Sequence, residues 1–285
     1  MAACLLAGGT GTAYAQTAFM PLSEVKEGME GYARTVIQGT DINTFQVHVL
    51  GVMKNKGASG GDLVLVRVSG PVIDKTGGIA QGMSGSPVYI NGKLLGAIAY
   101  GFPQSDGRLG MVTPISDMLK LWTVDDRGEQ PQTPEPSSDL IPVSTPLMAV
   151  GYTPDALSYL SDKMKDLHMV PYSAASAGSD DTALPLEPGS SVAATLVTGD
   201  LKLGAIGTVT YVDGDHIVAF GHPFMNRGNS DYFMHNSYIF TVVPSREVPF
   251  KLGSVGAEIG AVTQDRGTGI SGIEGKSAEA VPLHV

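Results

Sequence analysis

The sequence predicts an all-β protein with minor helices, and three observations carry that prediction. Glycine and proline are abundant, 37 and 18 of 285 residues, while only 16% of residues are charged, the balance of a turn-rich chain rather than a helical one. Apolar and β-branched residues arrive in short runs punctuated by glycine, several of them with period two. Two dipeptides, Asn91-Gly92 and Asp213-Gly214, each separate a pair of such runs, and both accept the positive φ that a type I′ hairpin needs. With 42% hydrophobic residues the chain can fill one large or two small cores, and we expect two small helices beside the strands.

Taken in order, residues 1–15 come first. Their apolar run Ala2–Ala7 and the ending Ala13-Tyr14-Ala15 resemble the later part of a secretory signal peptide without its basic start. Export to the cell envelope or beyond is the expectation. Cys4, the only cysteine, falls inside this leader, which excludes a disulfide framework and a cysteine-based metal site. Residues 16–124 form a first β segment. In Phe45–Leu50, residues Phe45, Val47 and Val49 share one face, leaving Gln46 and His48 toward solvent. Asp62–Val68 reads as a strand buried on both faces, and Thr113-Pro114 as an N-cap opening a short helix to about Leu121.

Residues 125–146 are polar and proline-rich, the composition of a linker. Residues 147–285 form a second segment. Thr153-Pro154 opens an amphipathic helix whose Leu157, Leu160, Met164 and Leu167 share a face, with His168 as a cap beyond its end. Ser173–Pro185 reads as a loop. Strands follow at Ser190–Leu196, Ile206–Val212, Asp215–Phe220, Tyr238–Val243, Phe250–Val255 and Glu258–Thr263.

The stretch with the most chemistry is Gly77–Ile90. Ser84 stands between Gly82 and Gly85, Pro87 closes the turn, and the Asn91-Gly92 hairpin follows at once. Glycines on both sides let the backbone curl so that the N–H groups of Gly82 and Ser84 can aim at one oxygen, an oxyanion hole for a nucleophilic serine. Gly-Met-Ser-Gly-Ser-Pro differs by one residue from the Gly-x-Ser-Gly-Gly-Pro of chymotrypsin-like peptidases, and it is not the Gly-x-Ser-x-Gly elbow. The plainer alternative is a glycine-rich turn carrying surface serines. Among six histidines, His222 has the best setting for a base, at a strand exit between Gly221 and Pro223. His216 adjoins a turn, His235 follows a polar loop and His284 is terminal.

Other chemistries lack their signatures. Net charge is −10 with no basic stripe, which argues against a nucleic-acid partner. No stretch approaches the ~20 apolar residues of a membrane-spanning helix. Gly267–Gly272 matches Gly-x-Gly-x-x-Gly, yet no helix pattern follows it, so no dinucleotide is expected. We expect no cofactor and no metal.

Two strings together resemble the sporulation-stage-IV B (SpoIVB) serine peptidase family: Thr76–Ala99, containing Gly82-Met-Ser-Gly-Ser-Pro87, and Gly207–Tyr211 with Phe220-Gly-His-Pro223. The resemblance implies an exported, chymotrypsin-like double β-barrel endopeptidase acting on a protein or peptide in a restricted, regulatory cleavage. It implies Ser84 as nucleophile and His222 as general base. The order is permuted, since the family's histidine segment precedes its serine segment, and the family's acidic position, fifteen residues before the nucleophile, is Ser69 here. Asp74 or Asp231 could substitute, or the site is a Ser–His dyad, or it binds peptides without cutting them.

Overall fold

The first segment places its apolar faces inward by closing a sheet on itself. In the computed structural model, which describes residues 17–102, 104–124, 140–143, 146–165, 171–174, 184–245 and 249–284, six antiparallel strands make this ring. They are β1 (Glu30–Val36), β2 (Ile42–Met53), β3 (Leu63–Ser69), β4 (Pro87–Ile90), β5 (Lys93–Gly101) and β6 (Leu109–Pro114). Their order is β4-β1-β2-β3-β6-β5, and β4 pairs with β5 to complete the circle, leaving no long open edge. Phe45, Val47 and Val49 of β2 meet Val64, Val66 and Val68 of β3 in the interior. His48 faces outward against Glu30, as the alternation requires. The run at β3 is buried on both faces only at its start, because Arg67 and Ser69 are exposed.

Two elements of this half depart from the sequence reading. A helix α1 (Pro71–Thr76) was not anticipated; Gly77, in the left-handed region at φ 78°, terminates it. Thr113 is not an N-cap. It lies in β6, its hydroxyl donates to the Gly221 carbonyl (2.7 Å), and α2 (Ile115–Met118) starts after Pro114 without a side-chain cap.

Beyond the first barrel, β7 (Ile141–Pro142) pairs with β5 inside the stretch expected as linker. Then come β8 (Leu147–Val150), α3 (Pro154–Met164) and β9 (Pro171–Ser173). Thr153 does cap α3, accepting from the Ala156 N–H, and Met164 is buried. Leu167 and His168 lie outside the described residues, as do residues 1–16 and most of Ser173–Pro185.

The second barrel is built from β10 (Ser191–Val197), β11 (Lys202–Asp213), β12 (His216–Ala219), β13 (Gly228–Val243), β14 (Phe250–Arg266) and β15 (Gly269–Glu274). Their order, β10-β13-β14-β15-β12-β11, closes through β10–β11. The fold is therefore a mostly β, double β-barrel, with the Ser84 segment ahead of the His222 segment. The two-residue turn between β11 and β12 is Gly214-Asp215, one position later than the sequence signal suggested, because Asp213 still pairs with His216. Phe250–Val255 and Glu258–Thr263 form one continuous strand, and Tyr238–Val243 is the end of a sixteen-residue one. His235, buried in β13, hydrogen-bonds the Gly256 carbonyl rather than following a loop. The Gly267–Gly272 motif is a hairpin turn running into β15. Apolar clusters shared by both halves, such as Tyr89, Leu94 and Ile115 with Tyr211 and Val218, seal the barrels together.

Candidate active site

Ser84 owes its position to a turn that the opposite barrel grips. Gly82 and Gly85 have φ near +90°, a region closed to most side chains, so the chain reverses sharply around the serine. The Thr208 N–H donates to the Ser84 carbonyl (2.8 Å), and its hydroxyl donates to the Gly82 carbonyl (2.9 Å). The Thr210 hydroxyl donates to the Gly85 carbonyl (2.8 Å). Gln81 exchanges backbone hydrogen bonds with Pro249 and Lys251. Four of five residues from Gln81 to Gly85 are thus tied to β11 and the start of β14.

His222 is delivered to the same seam. Gly85 abuts Phe220: a Cβ added at Gly85 would lie 2.6 Å from the Phe220 nitrogen. Gly85 N–H donates to the Ile98 carbonyl, and a Cβ at Gly221 would lie 3.4 Å from that same oxygen. The turn before the histidine is strained, with Phe220 at φ 70° and Gly221 at φ 72°. A bulky residue in the left-handed region costs about 1–3 kcal/mol, and such strain gathers at functional sites.

The imidazole is fully buried. Its Nδ1 lies 2.7 Å from the Pro223 carbonyl, which can only accept, so Nδ1 carries the proton and Nε2 keeps a lone pair. Burial, opposed by that hydrogen bond, lowers the ring's pKa from 6.5 to about 4, so it is neutral at pH 7. Ser84 Oγ is buried as well, and neither it nor His222 Nε2 has a hydrogen-bond partner. Other buried hydroxyls share that condition, Thr35 and Ser86 among them, so it does not by itself mark a site. No hydrogen bond joins Ser84 to His222.

None of Asp74, Asp231 and the serine at the family's acidic position hydrogen-bonds Nδ1. Ser69 donates to Gln46 on the barrel surface, Asp74 pairs with Arg108, and Asp231 accepts from the Glu279 N–H. Of the two expected oxyanion donors, the Gly82 N–H engages the Val143 carbonyl (3.1 Å), and the Ser84 N–H does not reach it.

Sequence reasoning missed two residues here. Asp265, fully buried in β14, accepts from the N–H groups of Phe224 and Met225 (2.8 and 2.7 Å) and from the Tyr232 hydroxyl. It fixes the loop that follows His222. Burial raises its pKa, and the hydrogen bonds only partly oppose that. Lys251 is also fully buried, its ammonium donating to the Thr208 hydroxyl (3.1 Å), one hydrogen bond from the Gly82 carbonyl. Burial lowers its pKa from 10.5 to about 7. Neither carries a local signal, since each sits inside a β pattern that continues through it. A surface pocket of about 240 Å³ lined by Thr40, Glu187 and Asn236, among others, contains neither Ser84 nor His222. Among the described residues no cluster suits a metal ion, and no helix is long and apolar enough to cross a membrane.

Residues 12–119 match the family described as SpoIVB peptidase S55. The chain resembles the SpoIVB peptidases. That match supports a serine peptidase and spans the first barrel with Ser84; it ends before the SpoIVB-like string around His222. Comparison with curated proteins and with solved structures gave no match.

Proposed function

We infer that the protein is a SpoIVB-like serine endopeptidase in which Ser84 is the nucleophile and His222 the general base. The observation that carries this reading is the meeting of the Ser84 turn with the Phe220–Gly221 backbone that leads into His222, whose Nδ1 proton is fixed on the Pro223 carbonyl. That tautomer leaves Nε2 free to take the hydroxyl proton as Oγ attacks a peptide carbonyl and to return it to the leaving amine. The Gly82 N–H, joined by that of Ser84 once substrate is seated, stabilises the oxyanion, each donor contributing about 3 kcal/mol. A backbone carbonyl in place of a carboxylate orients the ring without a full charge to stabilise imidazolium. In trypsin, amidating the triad carboxylate lowers kcat about 10⁴-fold. Slow, restricted cleavage of a regulatory protein fits such a dyad better than digestion does. The apolar leader supports action outside the cytoplasm.

A fluorophosphonate probe should label the protein at Ser84. Labelling should vanish in Ser84→Ala and fall by about 10²–10⁴ in His222→Ala, the span of general-base assistance. Equal labelling of wild type and Ser84→Ala would remove the nucleophile. A second reading, a protease-shaped module that holds peptides without cutting them, is favoured by the absence of a carboxylate at Nδ1. It requires no labelling at Ser84 together with retained peptide binding.

A further inference from the structure

The nucleophile turn leaves one edge of the first barrel unfinished. Strand β4 begins at Pro87 opposite Ala97, and Gly85 and Ser86 before it bond Ile98, so β5 from Ala99 onward has no partner from the nucleophile segment. The chain's own segment Leu140–Val143 fills that edge. Tyr100 pairs with Pro142 and Gly101 with Ile141 in an antiparallel register, and the Val143 N–H donates to the Ala99 carbonyl (2.9 Å). The segment's last carbonyl, that of Val143, accepts from the Gly82 N–H (3.1 Å), two residues from Ser84. An extended peptide added to a sheet edge, with a carbonyl oxygen on the expected oxyanion donor, has the backbone arrangement of an acyl-side substrate.

We propose that Leu140–Val143 occupies the substrate groove as a mimic of the residues preceding a scissile bond, and that the groove selects a branched aliphatic residue where Val143 sits. The proposal rests on the reading of Ser84 as nucleophile and names its substrate class. Val143 is 5% exposed and belongs to the apolar cluster that includes Ile79, Met83, Ile98 and Val242. Its Cγ2 approaches Gly101, where a Cβ would stand 3.8 Å away, so the wall is close and apolar. Leu140 enters a second apolar cluster with Leu63 and Met111, whereas Ile141 points outward at 37% exposure. Two buried side chains three positions apart, joined by backbone pairing, define the recognised pattern: an aliphatic residue, two tolerant positions, then valine or a close relative. Ser84 and His222 are themselves buried, at 1% and 0% exposure.

Fluorophosphonate labelling at Ser84, followed by mass spectrometry on the full chain, tests this. Val143→Asp places a charge in the apolar pocket and should expel the segment, raising the labelling rate at least about tenfold as the open population grows. Val143→Ala should raise it less. In Val143→Ala, acetyl-Leu-Ile-Pro-Val aldehyde should block labelling at least about tenfold more potently than the same aldehyde ending in arginine. A folded Val143→Asp that labels no faster than wild type would overturn the proposal. Equal potency of the two aldehydes would do so even if Val143→Asp does not fold. Absence of labelling at Ser84 in every variant overturns instead the assignment of the nucleophile.

Discussion

Lys251, placed where the barrels meet, has no acidic partner among the described residues. Its folded pKa is about 7 against 10.5 when free, so between those values the unfolded chain binds more protons than the folded one. Stability therefore rises with pH across that window, and the cost of the buried charge is fully present below it. Raised tyrosine pKa values, such as that of Tyr172 at about 12, act in the opposite direction above pH 10 but are common to wild type and variant. Lys251→Met should be the more stable protein at pH 7, by an amount on the order of 1–4 kcal/mol. The gap should narrow steadily toward pH 10.5 in paired thermal or urea melts. A gap independent of pH would show that Lys251 is not the titrating group. Nothing in the local sequence marks this lysine, because Phe250–Val255 reads as a strand whether or not position 251 is charged. Ser84 and His222 were legible for the opposite reason: each is framed by glycine and proline, whose backbone effects are local.

At the scale of elements, the turn from Gln81 to Gly85 depends on close backbone approach. A Cβ at Gly85 would lie 1.8 Å from the Thr208 carbonyl oxygen, and the residue's φ of +91° disfavours any side chain. Gly85→Ala should destabilise the protein by roughly 2–5 kcal/mol, combining ~1–2 for the left-handed backbone with ~1–3 for overpacking. Denaturant melts would measure this, and a loss below 1 kcal/mol would mean that β11 can retreat from the turn. The Asn91-Gly92 hairpin was fully readable, with both residues at positive φ as a type I′ turn demands. Thr113 was not. Its hydroxyl could satisfy either a helix end or a distant carbonyl, and only the arrival of Gly221 from the second barrel decides between them.

For the whole molecule, the β-rich class followed from composition and turn spacing, which are properties of the chain itself, whereas the pair of barrels was expected from the SpoIVB-like strings. Ring closure of each sheet, and the extension of β13 and β14 across positions that seemed to break them, depend on long-range pairing that no local pattern records. The placement of Leu140–Val143 was hidden in the same way, because a polar, proline-rich neighbourhood disguised four residues that dock on β5. The seam has a further consequence. Because the turn bearing Ser84 is held by Thr208, Thr210 and Lys251, neither half alone contains the whole of the proposed Ser84–His222 site. Residues 16–124 and 147–285, produced as separate chains, should each be inert toward the fluorophosphonate. Mixed together, they should regain labelling in proportion to the heterodimer they form, so that dilution switches the reaction off.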